Sequence, residues 1–214
     1  MRNVRRFLTP QVAVATGLAL VVGGFSGYMI AETIGDADSS RSARPCSDVV
    51  SNSHVREAMG RVVRSGESVT SNFSEKSSSG KYVARCTVAV DGRVSLIVAA
   101  NLEDSGDVEQ WLDTLAQNKD IGDEEDRRRF DVGEEGISAE SSAAIYLKCT
   151  SADPKVKKNF NLSILVTSLS GGSSASERRV DLADIATSMA NHAQKSAQCS
   201  DPVKIPDRAP PLSS

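Results

Sequence analysis

A chain of 214 residues with 39% apolar, 25% charged and 4% aromatic residues is too apolar to stay wholly disordered and too charged to cross a membrane many times. Its formal net charge of −3 and pI near 5.5 give no footprint for nucleic acid, and so few rings provide no base-stacking surface. Four cysteines and two histidines leave few candidates for metal or nucleophile chemistry.

Residues 1–10 carry Arg2, Arg5 and Arg6 and no acid, and residues 11–31 carry no charge at all. At about 1.5 Å per residue a helix over residues 11–31 matches a hydrocarbon core of about 30 Å. Arginines before the run, with Glu32, Asp36 and Asp38 after it, predict a cytoplasmic amino terminus and an extracytoplasmic main domain. A cleaved signal peptide has a shorter apolar core and a small-x-small site; Gly35-Asp36-Ala37 is a weak match, so an uncleaved single-span anchor is expected, with cleavage as the alternative. A lipid-bearing cysteine would have to follow the run directly, and Cys46 comes too late. Gly23 and Gly27 have the spacing of a helix-packing motif, although glycine is common in spanning helices. The three arginines contribute +3, so the remainder carries −6 of the total −3, an acidic domain that should not adhere to an anionic bilayer.

Residues 32–44 are small and polar and read as a tether. The extracytoplasmic domain is expected over residues 45–199. Residues 200–214 hold four of the seven prolines and read as an extended, unpacked, disordered tail. Ser51, Asn52 and Ser53 before Val55, Ala58 and Met59 predict a short capped helix, with Gly60 as its stop. Residues 65–80 contain seven serines and read as a mobile loop. Tyr82, Ala84, Cys86, Val88 and Val90 alternate as in a half-buried strand; Asp91-Gly92 is a two-residue hairpin turn, and Val94, Leu96 and Val98 continue beyond it. Asp107 caps a helix bearing Val108, Trp111, Leu112, Leu115 and Ala116 on one face. The charge-dense residues 119–135 read as a second loop or a solvated edge. Ala143, Ile145, Leu147 and Cys149 form a further strand, with Phe160, Leu162, Ile164 and Val166 as its partner. A last helix follows, capped by Asp181, with Leu182, Ile185, Ala186, Met189, Ala190, Ala193 and Ala197 as its apolar stripe.

Residues 82–87 parallel residues 145–150, and each segment opens a strand–strand–helix succession, a candidate ββα duplication. The expected fold is therefore α+β, an antiparallel sheet with helices packed on one face, preceded by one transmembrane helix. Outside the cytoplasm Cys46, Cys86, Cys149 and Cys199 read as two disulfides, with three connectivities open. Cys46–Cys86 with Cys149–Cys199 is preferred because each bond ties a helix end to a strand within one half. Closing loops of about 40–50 residues contributes roughly 3–4 kcal/mol each. No C-x-x-C or H-x₃-H spacing supports zinc, and no close dithiol supports redox chemistry.

The remaining chemistry is sparse. His54 and His192 fall on predicted helices, where surface or capping roles are commoner than catalysis, and no G-x-S-x-G elbow accompanies them. Ser78-Ser79-Gly80-Lys81 has the S-x-x-K spacing of penicillin-binding enzymes, but it leads into a strand and does not open a helix. Asp120, Asp123, Glu124, Glu125 and Asp126 lack the alternating pattern of a calcium loop, and residues 127–129 offset their charge. Gly171-Gly172 has no phosphate-loop lysine. Trp111 reads as a core residue, and Asn72 and Asn161 stand in formal glycosylation sequons.

The stretch Arg44-Pro45-Cys46 through Gly60, with a later Cys86 set in Arg85-Cys86-Thr87, resembles the start of small uncharacterised extracytoplasmic domains in actinobacterial lipoproteins and membrane-anchored envelope proteins. The resemblance covers about residues 44–100, and it departs from the lipoprotein members by lacking the lipid-bearing cysteine. It implies an envelope location and the Cys46–Cys86 bond, and carries no catalytic, metal or cofactor residue. The sequence thus reads as a non-enzymatic binding or interaction module with an envelope protein or small ligand as partner. An envelope-polymer hydrolase using a serine and one histidine, and a ligand-sensing domain acting through a membrane partner, are the alternatives.

Overall fold

The computed structural model describes residue 46 and residues 49–50, 52–63, 65–78, 80–104, 106–153, 156, 158–169, 171 and 173–213. All belong to one unit, Ile34–Ser214. The expected basic segment, span and tether (residues 1–10, 11–31 and 32–44) lie outside the described residues. Among the described residues no helix is long and apolar enough to cross a membrane.

The Asp91-Gly92 turn organises the first half. Asp91 at φ 51° and Gly92 at φ 73° take the two left-handed positions that a type I′ hairpin requires, joining β2 (Lys81–Val90) to β3 (Arg93–Asp104). The Asp91 Oδ1 also accepts the N–H groups of Glu67 and Ser68 at 3.1 and 3.0 Å. Val88 pairs with Leu96 but Ala89 with Val94, so Ser95 is a one-residue bulge. The bulge inverts the alternation at this end of β3: Leu96 is buried, whereas Val94 turns outward and is 43% exposed.

Residues 65–80 correct the expectation of a mobile loop. Most of that stretch is β1 (Val69–Ser78), paired antiparallel along its whole length with β2. The second half contributes β4 (Arg128–Phe130), β5 (Glu135–Ser138), β6 (Ser142–Thr150) and β7 (Asn159–Ser168). The seven strands form one antiparallel sheet in the order β1-β2-β3-β7-β6-β5-β4. Gly133, at φ +75°, is required between β4 and β5, because a Cβ there would lie 2.4 Å from Leu147 and 2.5 Å from the Tyr146 carbonyl oxygen.

Among the described residues three α-helices accompany the sheet: α1 (Ser53–Val62), α2 (Val108–Gln117) and α3 (Ala175–Ser196). Residue parity in the strands decides where each packs. Ala143, Ile145, Leu147 and Cys149 of β6 share a core with Val55 and Met59 of α1 and Leu182, Ile185 and Met189 of α3. The intervening Ala144 and Tyr146 face the other way and pack with Trp111 and Leu115 of α2. Helices therefore lie on both faces, not on one as the sequence had suggested. The ββα unit is likewise not repeated whole: β2–β3 and β6–β7 meet through the antiparallel β3–β7 pair, but the helices that follow them take opposite faces. Trp111 is a core residue as expected, and its Nε1–H donates to Ser163 Oγ at 2.9 Å, which satisfies the one polar atom of a buried indole.

Two helix boundaries also differ. α1 runs through Gly60 because Val62 continues the Val55–Met59 stripe into the core, a gain that outweighs roughly 1 kcal/mol for a helical glycine. α3 starts at a capping box of Ser174 and Glu177, seven residues before Asp181. Asp181 lies inside the helix, 3% exposed, and Arg61 grips it through two hydrogen bonds of 2.7 and 3.0 Å. Both disulfides join the preferred partners, Cys46 with Cys86 and Cys149 with Cys199.

Residues 200–213 correct the expectation of an unpacked tail. They hold no helix or strand, yet Ile205 is buried and Ala209 and Leu212 pack against the core. Proline denies this segment regular ladders but not apolar contact.

Candidate functional site

The two edges of the sheet are built differently. β4 is three residues long, and the carboxy-terminal segment covers it: Ser213 N–H donates to Arg129 O at 2.8 Å, and Arg129 N–H to Ser213 Oγ at 3.1 Å. β1 at the other edge is ten residues long, contains no proline and pairs with β2 without a bulge. Its sequence carries one acid and one base, Glu75 and Lys76, so it is electrically neutral. Short length, covering segments, proline and bulges are the usual means of blunting an edge. At β4 the chain applies two of them; at β1, among the described residues, there is no covering segment, proline or bulge, and the charge of Lys76 and of the inward Glu75 is the one device present.

The direction of the free backbone groups follows from the register. Asp91 N–H donates to Ser68 O, and hydrogen bonding alternates along an antiparallel pair. Even-numbered residues of β1 therefore bond to β2, and Val69, Ser71, Phe73, Glu75 and Ser77 aim their N–H and C=O groups at the open edge. Beside this edge, the face away from α1 and α3 carries exposed Val83 and Val94, with Arg85, Thr87 and Ile97 between them.

At the inner rim of the same edge, β1 meets α3. His192 Nε2 lies 2.9 Å from Glu75 Oε1, which also accepts the Tyr82 hydroxyl at 2.8 Å. The Phe73 ring stands edge-on to His192, centroids 5.7 Å apart. Burial pushes the Glu75 carboxyl up, but hydrogen bonds from Tyr82, Ser196 and His192 outweigh it and hold the group below its ordinary range. Burial, and then the Glu75 carboxylate, push the Tyr82 hydroxyl up. This cluster fastens an edge strand to the end of a helix. Ser196 Oγ is 3.5 Å from the same Nε2 that contacts Glu75. A relay needs the carboxylate on one ring nitrogen and the serine on the other, and this arrangement does not provide it.

The other candidates take structural positions. His54 Nε2 contacts the Asp207 carbonyl oxygen at 2.7 Å. Ser78 and Lys81 pair across the β1–β2 hairpin, so their spacing is that of a turn and not of a helix. Asp126 pairs with Arg179, and among the described residues no group of acids, histidines or cysteines is arranged to hold a metal ion. Asn161 is buried and donates to Gly106 O at 3.0 Å, which leaves no room for a glycan there; Asn72 stands exposed on β1.

Comparison with known proteins returned no matching family model, no matching curated protein and no matching solved structure.

The sequence reading missed β1 and with it the open edge. The available signal was negative: residues 69–78 carry no proline or glycine, unlike an ordinary loop, and precede a hydrophobic strand partner by one tight turn.

Proposed function

We propose that the protein is a membrane-anchored, extracytoplasmic interaction module of the cell envelope, and that it captures an extended segment of a protein partner at the free edge of β1. The contrast between the covered β4 edge and the ten-residue β1 edge, which no described segment covers, carries this reading. Strand addition takes its affinity from main-chain hydrogen bonds and its selectivity from alternate side chains. Phe73 and the outward Val83 supply apolar contacts on the two sides of such a strand. The uncharged run at residues 11–31 supports the anchor, and the two disulfides suit an oxidising compartment. No cofactor or nucleic acid enters the proposal.

The test is photo-cross-linking in native membranes, with the reactive side chain placed at Asn72 on β1 and, as a control, at Glu124 far along the chain. A discrete protein adduct from position 72 alone is expected. The same adducts from both positions, or none from position 72 across growth conditions, would remove the edge from the account. Retention of the chain in carbonate-washed membranes tests the anchor separately; release would point to signal cleavage.

A further inference from the structure

Residues 203–213 are held as a bound peptide is held. Gln194 Nε2 donates to Val203 O at 3.0 Å, Asn191 Nδ2 to Pro206 O at 3.2 Å, and Ala209 N–H to Asp184 Oδ1 at 2.8 Å. Residues 184, 191 and 194 lie along one stripe of α3, spanning about 15 Å. The six steps from residue 203 to residue 209 reach at most about 20 Å, and bends at residues 207 and 208 shorten that reach toward the length of the stripe. The segment thus runs antiparallel to α3, with His54 of α1 on the Asp207 carbonyl and Ser213 hydrogen-bonded to Arg129 of β4.

These contacts address the backbone of the segment, and Ile205, Ala209 and Leu212 supply the apolar anchors. Side-chain amides, a buried carboxylate and three apolar contacts grip an irregular segment that forms no ladder of its own. The Cys149–Cys199 bond fixes the root of the segment one residue before Ser200.

From this geometry we propose that the stripe of α3 bounded by α1 and β4 is a peptide-binding groove, and that residues 201–213 are its intramolecular ligand. A partner's extended, proline-containing segment with apolar side chains at the spacing of Ile205, Ala209 and Leu212 displaces them. This groove is separate from the β1 edge, and either can fail without the other.

The test uses the full chain and a fluorescent synthetic peptide of residues 200–214. Native-state hydrogen exchange should show Ala209 and Ser213 N–H exchanging together, at least 100-fold faster than Ile185 and Ala190 in α3. The peptide should bind an Ile205→Asp chain at least tenfold more tightly than the wild-type chain, whose own segment competes at high effective concentration. Adding Asn191→Ala and Gln194→Ala to that chain should weaken binding again. Exchange of Ala209 only at the rate of α3 would overturn the proposal. So would failure of the peptide to bind the Ile205→Asp chain, or binding indifferent to positions 191 and 194. A wild-type dimer that the peptide dissociates would overturn the intramolecular assignment and give the groove to a second copy's tail.

Discussion

Replacing Cys149 and Cys199 together by alanine tests how the domain is held closed. The bond spans 50 residues, and on the chain-entropy model its loss releases about 4 kcal/mol of constraint from the unfolded state at 25 °C. For a domain of this size that corresponds to a fall in Tm of roughly 8–16 °C. The native geometry should survive: Ser200 N–H still donates to Thr150 O at 2.8 Å, Cys199 N–H to Gln194 O at 3.2 Å, and Ser151 still bridges the strand end at residue 199. Urea unfolding of the two chains should therefore give equal native spectra, a lower midpoint and a larger m-value for the variant, because its unfolded state is less compact. The Cys46–Cys86 loop of 40 residues differs by only about 0.2 kcal/mol on the same model. A loss below about 1 kcal/mol, or an altered native spectrum, would refute the reasoning, since the bond would then act on the folded state.

Four further outcomes are expected. Gly133→Ala should destabilise by more than about 2 kcal/mol in denaturant titrations, because its Cβ meets the Tyr146 carbonyl and Leu147 at a positive φ. At the hairpin, Asp91→Asn should be tolerated, since Oδ1 still accepts the amides of residues 67 and 68, whereas Asp91→Val should cost about 2 kcal/mol; equal stability would count against the turn. Arg61→Ala leaves the Asp181 carboxylate buried and alone. Because the arginine is half exposed, about 2 kcal/mol is expected, less than for a fully buried pair, and a thermal melt reads it. The acid dependence should separate two carboxylates. The Glu75 carboxyl sits below its ordinary value near 4.5, so the stability it adds is present above that value and lost as pH falls. The Glu75→Gln deficit should then vanish on acidification. Burial raises the Asp184 carboxyl above 3.8, so its contribution is complete below that value and lost as pH rises through the raised pKa. Wild-type stability relative to Asp184→Asn should therefore decline with rising pH, opposite to Glu75→Gln. Parallel pH profiles would contradict both assignments.

What the sequence made legible was whatever alternates or repeats against a core. β2 and β3 bury mainly one face, and β6, β7 and α3 set their largest apolar residues toward the main core although their other side is buried too, so period two or 3.6 is written in the residues. The cysteine pairing was legible because each bond ties a helix end to a strand within one half of the sequence. β1 was illegible because an edge strand with serine on both sides buries almost nothing, and composition then speaks louder than conformation. The face taken by α2 was equally hidden: an amphipathic helix declares that it has a buried side, not which side of a sheet receives it. Ser95 hid the outward turn of Val94, because a bulge shifts parity without changing residue type. The contact between Glu75 and His192 joins positions 117 residues apart, a separation across which local pattern carries no information.

The most direct measurement is the Asn72 cross-link repeated in a Ser71→Pro chain. Ser71 aims its N–H at the open edge, so proline removes a donor from the docking surface and none from the β1–β2 ladder, a position where strands tolerate it. The expected result is loss of the partner adduct with thermal stability within about 1 kcal/mol of wild type. An undiminished adduct in a folded Ser71→Pro chain would contradict capture by strand addition at β1.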